Sequence, residues 1–263
     1  MAAPVSIPVP GGDGRTLAVD DVGDPDGAPV LFLHGVPGSR LSRHPDDSLA
    51  TAVGVRLIAV DRPGCGRSTP APGRTLGSTA ADLVAVLDAL GVEAAAVLAW
   101  SAGAPFAVAL AATHPERVAA VGLAAPAVPI TAYADPAVAE AAGPGRMLFA
   151  EMAAEMAPAE VAAEVAPFTA TETPAEQEGV ALGRSGLEAE IAIQAAVPDV
   201  DLASVAPTVS VTIWAGGADE VAPPAFARWW AALIPHSVLH VVPDADHDLP
   251  HRHWADLLAA VTA

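Results

Sequence analysis

The sequence predicts an α/β protein, a mostly parallel sheet flanked by helices with a helical segment set into it. Three observations carry this. Short β-rich runs alternate with helical patterns through the first half, the pattern that parallel strands joined by helices produce. After Pro129 the texture turns to alanine, glutamate and methionine broken by prolines. From Val209 the strand–helix alternation resumes and runs to the end of the chain.

Strands are expected at Thr16–Val22, Val30–Leu33, Arg56–Val60, Ala95–Ala99 and Val118–Ala124. Between them, Leu83, Val86, Leu87 and Leu90 fall at helical spacing in Ser78–Leu90, a helix that Ser78 or Thr79 is expected to cap. A second helix is expected at Ala102–Thr113. Pro136, Pro144, Pro158, Pro167 and Pro174 then predict several short helices, because proline at the first helical position presets the backbone. Thr173-x-x-Glu176 and Ser185-x-x-Glu188 have the form of capping boxes. Strands at Val209–Trp214 and Val238–Val242 and helices at Ala225–Leu233 and His251–Val261 complete the pattern. The division expected is a core of residues 1–129 and 207–263 around an insert of residues 130–206.

Composition narrows the function. The chain of 263 residues is 52% hydrophobic and 16% charged, yet no apolar run approaches the roughly 20 residues that span a bilayer. Met1 to Pro10 carries Pro4, Pro8 and Pro10 and no basic stretch before an apolar core, so a secretion signal is not expected and a cytoplasmic location is. The net charge is −19 with no lysine, a balance that repels nucleic-acid phosphates and acidic membranes. Acidic residues crowd the stretch from Asp135 to Asp201, where only Arg146 and Arg184 oppose them, and read as a solvated face. Cys65 is the single cysteine, which excludes an intrachain disulfide and a thiolate cluster.

An open parallel sheet gathers functional groups at the carboxyl ends of its strands. Ala99-Trp100-Ser101-Ala102-Gly103 lies between a strand and a helix, where a sharp turn lifts a serine hydroxyl above the sheet. The usual first glycine of such an elbow is Ala99 here, the smallest departure available. Gly216-Gly217-Ala218-Asp219 and Asp244-Ala245-Asp246-His247 follow later strands, so Ser101, Asp219 and His247 fall beyond strand ends in the order serine, acid, histidine. Histidine moves the serine proton, and a carboxylate behind it fixes the tautomer. Asp135 is the reserve acid, although its place before Pro136 gives it a simpler task as a helix cap.

The turn His34-Gly35-Val36-Pro37-Gly38 places the Val36 N–H where it can join that of Ala102 in an oxyanion hole. The loop Asp61 to Ser68 lacks the spacing and lysine of a phosphate loop and is expected to shape the pocket wall. His34, Gly35 and Trp100 are candidate pocket residues, and Met147, Leu148, Phe149, Met152, Met156 and Phe168 offer an apolar roof. Asp244, Asp246, His247, Asp248, His251 and His253 contain metal-ligand types, but their spacing matches no defined site, so no metal is expected.

These turns together resemble the α/β-hydrolase superfamily over essentially the whole chain. The resemblance implies an eight-stranded, mostly parallel sheet, a helical lid after the sixth strand, and catalysis by Ser101, Asp219 and His247 without a cofactor. Haloalkane dehalogenases and epoxide hydrolases of this fold are similar at the His34 turn, but they carry aspartate where Ser101 stands. Epoxide opening there also uses lid tyrosines, and Tyr133 is the single tyrosine here. The expected activity is therefore hydrolysis of an ester-type bond of a small hydrophobic carbonyl substrate by a monomer or homodimer. The alternatives are carbon–carbon bond hydrolysis, a cofactor-free lyase or oxygenase, a prolyl peptidase, and a weakly catalytic ligand receptor.

Overall fold

The computed structural model describes residues 5–10 and 14–263; Met1–Pro4, part of the segment read for a secretion signal, lie outside them. Eight strands form one sheet in the order β1-β2-β4-β3-β5-β6-β7-β8. They are β1 Val5–Pro8, β2 Thr16–Gly23, β3 Ala28–Leu33, β4 Val55–Val60, β5 Ala95–Trp100, β6 Val118–Ala124, β7 Ser210–Gly216 and β8 Val238–Val242. β2 runs antiparallel to β1 and β4, and every pairing from β4 through β8 is parallel.

Alternation along the strands decides the layers. Leu31 and Leu33 of β3, Ile58 of β4 and Val97 of β5 face one way. There they meet Leu83, Val86 and Leu87 of α2 (Leu76–Ala89), Phe106 and Leu110 of α3 (Ala104–Thr113), and Phe226 and Trp230 of α8 (Pro224–Leu233). Val30, Phe32, Leu57 and Leu98 face the other way, against α1 (Ser48–Ala52) and Trp254, Leu258 and Val261 of α10 (Trp254–Val261). α9 (Leu249–Arg252) precedes α10, with His253 as the break between them, so the single helix expected over His251–Val261 starts earlier and is divided.

Between β6 and β7 stand α4 (Pro136–Glu155), α5 (Pro158–Val165), α6 (Pro174–Gly179) and α7 (Ser185–Ala195). Pro136, Pro158 and Pro174 open helices as the sequence predicts. Gly143, at φ 73° and ψ 168°, breaks α4 just before Pro144. Two caps differ from expectation. α2 begins at Leu76, where Thr75 rather than Ser78 accepts the first bond and Ser78 returns it to the Thr75 N–H. The Thr173–Glu176 box forms, but Ser185 is the first residue of α7 and not its cap; the cap position falls to Arg184, whose side chain makes no capping bond.

The insert is fastened to the core along α6 and α7. A Cβ on Gly179 would overlap the Gly38 carbonyl, and one on Gly186 the Gly64 carbonyl, so glycine permits both close approaches. Ion pairs reinforce them: Glu178 of α6 meets Arg40 and Arg67, and Glu190 of α7 meets Arg62 and Arg74. Among the described residues no helix is long and apolar enough to cross a membrane.

Candidate active site

β5 ends at Trp100, and Ser101 takes φ 53°, a left-handed backbone that costs a non-glycine residue energy and aims its side chain off the strand end. The Ser101 carbonyl accepts from Ala127 N at 3.0 Å, which holds the turn from the β6 side. A 3₁₀ turn, Ser101–Gly103, then feeds α3. A Cβ on Gly103 would overlap the Leu33 carbonyl, so the second glycine of the elbow lets helix and strand cross. Ala99 is fully buried within β5, which accommodates its methyl in place of the usual glycine.

The loop after β7 presents Asp219. Its Oδ1 accepts from the N–H groups of Val221 at 2.8 Å and Ala222 at 2.7 Å, and this leaves Oδ2 directed at His247. The His247 Nδ1 lies 2.9 Å from Asp219 Oδ2, and its Nε2 lies 3.1 Å from Ser101 Oγ. A carboxylate accepts only, so Nδ1 carries the proton and Nε2 is free to receive the serine proton. The structure thus brings together the three side chains that the sequence singled out. Asp135, the reserve acid, caps α4 through Ala137 N.

Gly35 abuts the serine: a Cβ there would lie 3.2 Å from Ser101 Cβ. Among the described residues neither the Val36 nor the Ala102 N–H finds an acceptor outside regular structure.

The expected pocket residues divide. The Trp100 Nε1–H donates to the His247 carbonyl at 3.1 Å and its ring lies 5.8 Å from the imidazole, so it holds the histidine loop. His251 holds the same loop from outside, reaching Asp248 at 2.7 Å and the Ser42 carbonyl at 3.0 Å. Phe149 and Val36 pack against a small cluster that includes Leu187 and Ile191. Met147 packs against the main core, and Met152 and Met156 are half-buried. Phe168 is 87% exposed and Leu148 is exposed as well, which removes both from the roof. In the turn Ala166–Phe168 the buried Ala166 faces inward, and two residues on, at about 120° per residue, the phenyl faces solvent.

His34 and Gly35 border a small cavity at the seam with the insert, together with Cys65, Val180, Leu187 and Glu190. The Asp61–Ser68 loop therefore reaches this wall through Cys65, whose buried thiol is pushed up out of its usual range and stays protonated. Burial, with Arg62 beside it, lowers His34 to about 3. Burial alone raises Glu190, but the charges of Arg62 and Arg74 outweigh it and hold its carboxyl well below the usual range. Sequence reasoning singled out His34 and the loop that carries Arg62 but missed Glu190. Its one signal is its register with Leu187 and Ile191 on the inward stripe of α7.

The chain belongs to the alpha/beta hydrolase fold family, whose model matches residues 28–174, more than half of its length. Among solved structures it resembles a thermophilic esterase from Thermogutta terrifontis with malate bound, at a TM-score of 0.68 and 26% identity over 99% of this chain and 97% of that one. It is 39% identical over 102 residues to a proline iminopeptidase of Neisseria meningitidis, covering 38% of this chain and 33% of that protein. Epoxide hydrolase B of Mycobacterium tuberculosis is 40% identical over 106 residues, covering 39% of this chain and 30% of that protein. The matched stretch thus spans about a third of these curated relatives.

Proposed function

We propose that the protein is a serine hydrolase that cleaves an ester-type bond of a small hydrophobic substrate through an acyl-enzyme. The observation that carries this reading is the chain of contacts from Asp219 Oδ2 to His247 Nδ1, at 2.9 Å, and from His247 Nε2 to Ser101 Oγ, at 3.1 Å. His247 takes the Ser101 proton as Oγ attacks the carbonyl carbon, and Asp219 stabilises the imidazolium. The N–H groups of Ala102 and Val36 receive the negative oxygen. Collapse expels the alcohol, which leaves with the proton from His247; water, deprotonated by the same imidazole, then releases the acid. The likeness to the Thermogutta esterase supports an ester as substrate. The half-buried Phe149 and Val36, which pack against one small apolar cluster, support a hydrophobic acyl group.

The likeness to proline iminopeptidases favours a second reading, an aminopeptidase acting by the same steps on an amino-terminal proline. Turnover of nitrophenyl esters graded by acyl length, set beside a prolyl arylamide, separates the two. Ser101→Ala is expected to lower turnover by about 10⁶ with the fold intact, and an organophosphate is expected to label Ser101 stoichiometrically. Turnover that survives Ser101→Ala points instead to a lyase or oxygenase using His247 alone.

A further inference from the structure

We propose that Arg62 and His34 are positioning residues for the oxyanion hole, and that Glu190 of the inserted helix α7 holds them in place. The proposal rests on the serine-hydrolase reading, in which the Val36 N–H receives the oxyanion.

The Gly35 carbonyl oxygen lies 2.7 Å from His34 Nδ1 and 3.2 Å from Arg62 Nη2. Arg62 Nη1 also donates to the His34 carbonyl, at 2.5 Å. The peptide joining Gly35 to Val36 is trans, so its C=O and N–H point in opposite directions. Pinning the oxygen toward Arg62 therefore pins the Val36 N–H away from it. A charged donor on the oxygen also polarises the amide and strengthens its N–H as a donor.

The partners leave one arrangement of protons. Arg62 N–H donates to His34 Nε2 at 3.3 Å, so that nitrogen accepts, and Nδ1 carries the proton given to Gly35 O. A pKa lowered to about 3 agrees with a neutral ring.

Arg62 is wholly buried, and a buried cation is held only where a partner meets it. Glu190 is that partner, with Oε1 2.9 Å from Arg62 Nε and Oε2 2.8 Å from Nη2. This two-point fork fixes the guanidinium plane. Arg74 binds the same carboxylate, and Phe106 backs the guanidinium at 4.5 Å. Through this carboxylate the insert reaches the guanidinium that holds the Gly35 peptide. Glu178 ties α6 to Arg40 and Arg67 without touching the Gly35 peptide, and so supplies the control.

The experiment compares Arg62→Met, Arg62→Lys, Glu190→Gln and Glu178→Gln with wild type and Ser101→Ala. It measures p-nitrophenyl butyrate turnover per site titrated with an organophosphate, and affinity for an alkyl trifluoromethyl ketone, whose adduct places an oxyanion in the hole. Arg62→Met is expected to lower kcat by about 10² with KM unchanged and to weaken the ketone by the same factor. Glu190→Gln is expected to lose about tenfold in both, the equivalent of one weakened charge-assisted bond. Arg62→Lys recovers part of the loss, and Glu178→Gln matches wild type. Where Arg62→Met fails to fold, Glu190→Gln, which keeps the side-chain shape, decides. Unchanged kcat and ketone affinity in Glu190→Gln, or an equal loss in Glu178→Gln, overturns the proposal and leaves the serine reading standing. Turnover that survives Ser101→Ala overturns both.

Discussion

His34 ties stability to pH. Its native pKa of about 3 lies far below the ordinary histidine value near 6.5, so between these limits the unfolded chain binds a proton that the folded chain refuses. Stability therefore rises with pH across that window: its contribution is full above about pH 6.5 and is lost as pH falls toward 3, at up to about 1.4 kcal/mol per pH unit. Chemical denaturation at several pH values is expected to show this slope in wild type and a slope smaller by up to one proton in His34→Asn; equal slopes would contradict it. At this scale Ser101, Asp219 and His247 were legible because each falls in a turn that follows a strand, and an apolar run broken by turn residues marks such ends plainly. Trp100 was not legible in its true part. That it reaches the His247 carbonyl depends on where β8 leaves the sheet, which no local pattern encodes.

Helices α6 and α7 are held differently from α4 and α5. Gly186 lies so close to the Gly64 carbonyl that one added methyl must displace backbone. Gly186→Ala is expected to cost about 1–3 kcal/mol, seen as a lowered Tm, with faster proteolysis confined to residues 136–206. An unchanged Tm would show that the seam yields. Strands β2 to β8 were readable to within two residues at each end, β2 to β7 from their buried apolar residues and β8, which has no buried residue, from its run of valines, whereas β1 is mostly exposed and only four residues long. The helical insert was legible from its prolines, but its anchors were not. Glu190 pairs with Arg62 across 128 residues of sequence, and a lone carboxylate on an apolar stripe names no partner.

Across the whole molecule, a net charge of −19 sets the electrostatics. Nine of the ten arginines from Arg15 to Arg184 serve ion pairs or carbonyls within the fold, whereas Glu151, Glu155, Glu164 and Asp256 are exposed. Like charges at the surface repel, and salt screens them while sparing the buried pairs. Raising NaCl from about 10 to about 150 mM, which shortens the screening length to about 8 Å, is expected to raise Tm; a fall would place the surface pairs above the repulsion in weight. The family was legible in the sequence because its turns are local strings, while the packing of the insert joins residues far apart in the chain. That packing has a practical side. Among the described residues the stretch from Pro136 to Val165 has no ion pair of its own to the sheet, and Gly143 interrupts its first helix. It is the natural cassette for transplanting selectivity from a relative, since exchanging it leaves untouched the glycine seams and carboxylates that brace the floor beneath.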